Sequence, residues 1–237
     1  MTFLGNLLGS IMKLIFDLVS KVGTETEIIS YYGITIIITT IIFKLILLPV
    51  SIHQSKSTKK MNDLQPKIKE IQQKYKNDPQ TLNAKMLQLY KENNYNPMSG
   101  CLVLLIQFPI IIAMFNVLRG PVQFVFKDQT IYDAINKGFL WIPDLGQPDP
   151  FIWGLPLLAG LTTYLQSKLM MVKSTQGNDQ VESTQKMMNI FLPFFIFWAA
   201  RSFAAGLALY WVISNIFQIV QQIIINRSLG NIKEETK

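Results

Sequence analysis

Residues 34–52 read ITIIITTIIFKLILLPVSI, and they decide the fold class. Apart from three threonines, a serine and Lys44 the run is apolar. As one helix at about 1.5 Å per residue it would reach roughly 28 Å, close to the hydrocarbon thickness of a bilayer. Lys44 sits near the middle. A lysine at that depth costs about 2.5–3.5 kcal/mol unless it meets water or a partner. Snorkelling to the headgroups is the simpler account, but Lys44 is far from either end. Thr40 and Ser51 lie four before it and seven after it, on the same helical face. The run therefore predicts a transmembrane helix with one wet side.

Outward from this stretch the pattern repeats. Of 237 residues 49% are hydrophobic and 16% charged, and the formal net charge is +7. Long apolar runs alternate with polar stretches, which predicts an all-α, multi-span membrane protein. Residues 1–28 open with an amphipathic helix suited to the membrane interface, followed by a turn. A signal peptide fits poorly, because Lys13 and Asp17 interrupt its apolar part. Residues 29–52, 98–119 and 151–171 predict three spans, and 186–225 two more, divided at Arg201 and Ser202. Residues 120–150 read as a loop grazing the interface, 172–185 as a polar loop, and 226–237 as a charged, fraying tail.

Residues 53–97 differ in kind: nine lysines stand against four acids. Met61, Leu64, Ile68, Ile71 and Tyr75 are spaced 3, 4, 3, 4, a helical packing seam. Pro66 interrupts it and predicts a kink or a helix start. Asp78-Pro79 predicts an N-cap and a second helix carrying Leu82, Met86 and Leu89. The sum is a helical hairpin outside the membrane. Its lysines suit anionic lipid or RNA, or equally a solvated face obeying the positive-inside rule. That rule puts the hairpin and tail inside and the amino terminus outside.

The fifth span repeats the oddity of the first. Trp211, Asn215, Gln218 and Gln222 fall on one helical face with Ser214 beside them. Amides within a span need partners or water. Interhelical hydrogen bonding explains one or two such residues better than a stripe. Gln107 contributes an amide from the second span, and Thr162 and Gln166 lie four apart on the third. Converging faces would line a polar groove with one positive charge. The spans contain no Asp, Glu or His, so neither an aspartyl dyad nor a Ser–His pair is available. One cysteine, one histidine and no glycine-rich phosphate loop argue against a disulfide, a metal or a nucleotide cofactor. A non-enzymatic protein with a polar cavity is expected.

Three motifs in order carry a resemblance: FKLILLPVSIHQSKSTKKMNDLQPKIKEIQQKYKNDPQ, NPMSGCLVLLIQFPIIIAMF and GLALYWVISNIFQIVQQ. The chain resembles the YidC family of membrane protein insertases, over roughly residues 30–228. The mitochondrial oxidase-assembly and chloroplast Albino homologues belong to the same family, and the short Gram-positive type is the nearest in plan. The resemblance implies five core spans, a cytoplasmic hairpin after the first, and a hydrophilic groove that receives polar parts of nascent membrane proteins. It implies a bacterial cell membrane location, and as partners nascent membrane proteins, the lipid bilayer, and the Sec translocon and ribosome through the basic hairpin and tail. Lys44 falls where the family usually has a groove arginine, and Thr40, Gln107, Gln166 and Trp211 match groove-lining positions. Lysine keeps the charge of arginine but loses its bidentate fork. Val103 and Ala204 stand where prolines are common in the family. The expected groove is thus Lys44, Thr40, Ser51, Gln107, Thr162, Gln166, Trp211, Asn215 and Gln218. A small-solute or anion transporter using Lys44 as its binding charge is the alternative. It lacks support from any internal repeat with paired broken helices.

Overall fold

The computed structural model describes the backbone of residues 2–26, 28–96, 99–170 and 179–235, and the side chains of 3–26, 28–96, 107–170 and 189–227. The described chain is helical: α1 (Thr2–Val22), α2 (Tyr31–Ile46), α3 (Leu48–Lys74), α4 (Pro79–Glu92), α5 (Ser99–Arg119), α6 (Gln129–Ala134), α7 (Leu155–Met170), α8 (Asp179–Ala200) and α9 (Ala205–Glu235). A π-helical turn, Val122–Phe126, lies between α5 and α6. Among the described residues, extended pairing is limited to isolated bridges, Ile29 with Phe139 and Phe139 with Ile142.

By length and composition two described helices, over Phe3–Val22 and Ala205–Arg227, could cross a membrane. A third qualifies if α2 and α3 are taken as one broken span, and shorter apolar helices cover Gln107–Arg119 and Asn189–Ala200. The apolar run 34–52 falls on this broken pair. The helix expected over 34–52 ends at Ile46, and α3 leaves at 60°. Leu47 sits between the two, and Pro49 occupies the first turn of α3. A proline ring disfavours continuation of the preceding helix but suits the start of the next, which puts the break here. Pro66, where a kink or start was expected, lies inside the continuous α3.

The amino-terminal helix is part of the core. Leu8 and Met12 of α1 join Tyr32 and Ile36 of α2, Met114 and Val117 of α5, and Phe124 of the π-helical turn in one buried cluster. Phe16 stands edge-on to Phe126 at 5.1 Å between centroids, a favourable aromatic arrangement. Gly5 and Gly9 of α1 face Phe124 so closely that a methyl at Gly9 would stand 2.2 Å from the Phe124 carbonyl oxygen. The 120–150 segment, expected to graze the interface, instead buries Phe124, Val125, Phe126, Ile142 and Leu145. It is pinned to the start of α9, where Ala205 N donates to Gln147 O and Gly206 N to Leu145 O, both at 2.8 Å. Asp149 is buried in the same segment and accepts from Trp141 Nε1 at 3.2 Å, Phe151 N at 2.9 Å and Leu155 N at 2.7 Å. The carboxylate thereby covers the open amides at the start of α7.

The hairpin forms on its expected seam. Leu64, Ile68 and Leu89 are buried between α3 and α4, with Met61, Ile71 and Met86 packed beside them. Asp78 caps α4 by accepting from Thr81 N at 3.1 Å and Thr81 Oγ1 at 2.6 Å. These bonds favour the ionised carboxylate and hold its pKa below the usual aspartate value. A depressed folded pKa means the cap's stabilisation is full above the unfolded value, about pH 4, and fades as pH falls through the folded value. Asp78→Ala is expected to speed amide exchange at Thr81 and Leu82 and leave α9 unchanged. Equal exchange in the variant and the parent would contradict this.

Two expected boundaries move. The polar loop placed at 172–185 lies outside the described residues as far as 178, and from Asp179 the chain is helical. Within 179–185, Gln180, Glu182 and Gln185 are sound helix formers, and polarity alone does not make a loop. The tail expected to fray from Asn226 continues α9 to Glu235.

Candidate functional site

Lys44 is on the last turn of α2, just before the bend. It is only 6% exposed, and among the described residues it forms no ion pair. Its side chain opens on a cavity of about 200 Å³. Gln107 and Ile111 enter it from α5, Gln166 and Met170 from α7, and Gln54 from α3. The α9 face supplies Tyr210, Trp211, Ser214, Asn215 and Gln218. A buried ammonium without a carboxylate is tolerated where amides, hydroxyls and water solvate it. The cavity has room for several waters.

The α7–α9 wall is held by side-chain bonds. Asn215 Nδ2 donates to Thr162 Oγ1 at 3.1 Å and to Thr163 Oγ1 at 2.9 Å. Trp211 Nε1 donates to Thr163 Oγ1 at 3.1 Å, which fixes the indole plane. Both threonines return their own protons to their helix, Thr162 to Leu158 O and Thr163 to Ala159 O. Gln166 Nε2 donates to Gln218 Oε1 further along the same seam. Trp211 and Ile111 also border a second cavity of about 70 Å³ with an apolar lining, so the indole divides polar from apolar space.

Six of the nine residues expected in the groove line this cavity: Lys44, Gln107, Gln166, Trp211, Asn215 and Gln218. Three do not. Thr40 is buried and donates to Ile36 O of its own helix at 2.7 Å. Ser51 is carried past the bend onto α3, where it donates to Leu47 O and accepts from Gln221 Nε2 at 2.9 Å. Thr162 lies behind the wall as the acceptor for Asn215. The 60° bend is the physical reason for the second exclusion, since the helical face shared by Lys44 and Ser51 assumed a straight rod. Gln54 and Tyr210 were missed. Tyr210 sits beside Trp211 in the sequence but reads as one more apolar residue, and Gln54 enters only because of the bend.

Gln222, the end of the amide stripe, faces α3 instead. Ser55 Oγ donates to Gln222 Oε1 at 2.8 Å, and Gln222 Nε2 to Asn226 Oδ1 at 2.9 Å. Both Ser55 and Gln222 are buried. With Ser51 and Gln221 they form a polar seam fastening the base of the hairpin to α9.

Apolar helices around a buried, cationic, polar cavity define a helical membrane protein that accommodates polar groups within its spans. The family model described as 60Kd inner membrane protein matches residues 24–233. The chain is 38% identical over 225 residues to the membrane protein insertase YidC of Fusobacterium nucleatum, covering 95% of this chain and 98% of that one. It is 43% identical over 194 residues to the membrane protein insertase YidC of Clostridium perfringens, covering 80% of this chain and 76% of that one. With the Treponema denticola membrane protein insertase YidC the identity is 38% over 211 residues, and the chain spans 35% of that protein's length. This chain belongs to the YidC, or 60Kd inner membrane protein, family, the family its three motifs resemble. Membership places it in a bacterial membrane.

Proposed function

We propose that this protein is a membrane protein insertase whose cavity at Lys44 receives the polar flank of a client while the client's apolar helix passes to lipid. The observation that carries the reading is the buried ammonium of Lys44, without an ion pair among the described residues and set among amides and hydroxyls drawn from four helices. Such a cavity keeps a short polar segment solvated part-way across a bilayer, and its charge attracts an acidic one. The relatives' names point the same way. No covalent step is required for this transfer.

Five spans, α2, α5, α7, and the apolar parts of α8 and α9, would cross the bilayer, with the hairpin and the α9 end in the cytoplasm and α1 outside. The lysine excess of the hairpin supports this orientation. The segment pinned to the start of α9 then closes the outer end. The hairpin and tail carry the charge suited to a ribosome or a translocon.

The test is insertion into proteoliposomes of a single-span client with a short acidic amino-terminal flank. Vesicles containing the protein should shield the flank from added protease, and protein-free vesicles should not. Equal shielding in both would refute insertase activity.

A further inference from the structure

A second charged recess lies away from the Lys44 cavity, between α1 and the π-helical turn, with a volume of about 490 Å³. Its polar wall is Ser10, Lys13, Asp17 and Lys21, which recur at helical spacing on α1. Lys127 closes it from the other side. Lys13 is committed to Asp17 as an ion pair. Lys21 and Lys127 form none among the described residues, so the recess is cationic. Two further observations say what it fits. Leu14 and Leu18 also line it and are 60% and 55% exposed, so an apolar strip runs beside the cations. Lys127 caps the π-helical turn with φ +57°, a left-handed backbone that glycine adopts without strain. A lysine stands there at some conformational cost, and it lines the recess.

We propose that this recess binds one anionic phospholipid, its phosphate between Lys21 and Lys127 and an acyl chain along Leu14 and Leu18. A free phosphate would use the cations and leave the leucines unexplained, and a zwitterionic lipid would gain little from two unpaired ammonium groups. The site stands independently of the insertase reading. Bound lipid would brace α1 against the turn, joining the amino-terminal helix to the surrounding leaflet.

The full-length protein in detergent, titrated with phosphatidylglycerol or phosphatidylcholine and read by native mass spectrometry, tests this. One phosphatidylglycerol should be retained in preference to phosphatidylcholine. Lys21→Gln and Lys127→Gly should each weaken retention by about fivefold, the worth of one surface lysine toward anionic lipid. The second variant also relieves the left-handed strain, so an unaltered or raised melting temperature would show that weakening is not misfolding. Asp17→Asn releases Lys13 and should strengthen retention by a similar factor. A photoactivatable phosphatidylglycerol should label Leu14 or Leu18. Equal retention of both lipids, indifference to the lysine variants, weaker binding by Asp17→Asn, or displacement by millimolar inorganic phosphate would each overturn the proposal.

Discussion

Lys44→Glu is expected to stop insertion of clients with acidic translocated flanks while sparing neutral ones. The cavity holds one cation and, among the described residues, no ion pair to offset it. At an effective dielectric of about 20, two charges about 8 Å apart interact by roughly 2 kcal/mol, some 30-fold in rate or affinity. Lys44→Ala forfeits that attraction, and Lys44→Glu replaces it with repulsion of similar size. Lys44→Arg keeps the charge and should keep function. If Lys44 instead served only as a neutral hydrogen-bond donor, Lys44→Gln would restore activity and client charge would not matter. Complementation of an insertase-depleted strain with paired acidic and neutral clients separates these outcomes. Full activity of Lys44→Glu on acidic clients at normal protein level would refute the electrostatic role.

Gly9→Leu is expected to release α1 from the core. The added Cβ would lie 2.2 Å from the carbonyl oxygen and 2.6 Å from the carbonyl carbon of Phe124, backbone atoms that cannot turn aside. Relief requires the helix and the π-helical turn to separate, exposing the faces of Leu8 and Met12. Overpacking of this kind costs about 1–3 kcal/mol even where the neighbours adjust. Glycine within a helix is about 0.5–1 kcal/mol worse than alanine, so at an open site alanine would stabilise. Gly120→Ala is the matched control, since its Cβ would approach nothing closer than 3.4 Å. Gly9→Leu should lower the melting temperature in detergent and open α1 to protease, while Gly120→Ala should do neither. Equal melting of Gly9→Leu and the parent would show that α1 is not docked in this way.

The sequence was informative where one helix carries its own pattern. The 3, 4, 3 spacing from Met61 to Ile71 names the α3 residues that close the hairpin, Tyr75 falls outside that cluster, and Asp78-Pro79 marks the start of α4. The spacing of Trp211, Asn215 and Gln218 likewise names one wall of the cavity. Features that depend on a distant partner were not legible. Gly5 and Gly9 look like helix-weakening residues until Phe124 is placed against them. The aromatic 120–150 segment reads as an interfacial loop until α1 and the start of α9 bury it. Periodicity also assumes a straight axis. Pro49 ends that assumption, sending Ser51 to Gln221 and bringing Gln54 to the cavity. Thr40 shows a further limit: its hydroxyl is satisfied by its own backbone, so a threonine on a wet-looking face need not reach water.

Client chains are expected to occupy the cavity at Lys44. Site-specific photocrosslinking during translation tests it most directly, with the reactive group placed in turn at Gln218, Thr40 and Ile190. Gln218 lines the cavity, Thr40 is 1% exposed and does not line it, and Ile190 is 70% exposed on the outside of α8. Nascent-chain adducts are expected from Gln218, centred on the client's polar flank, and few from Thr40 or Ile190. Adducts from Ile190 with none from Gln218 would contradict this occupancy.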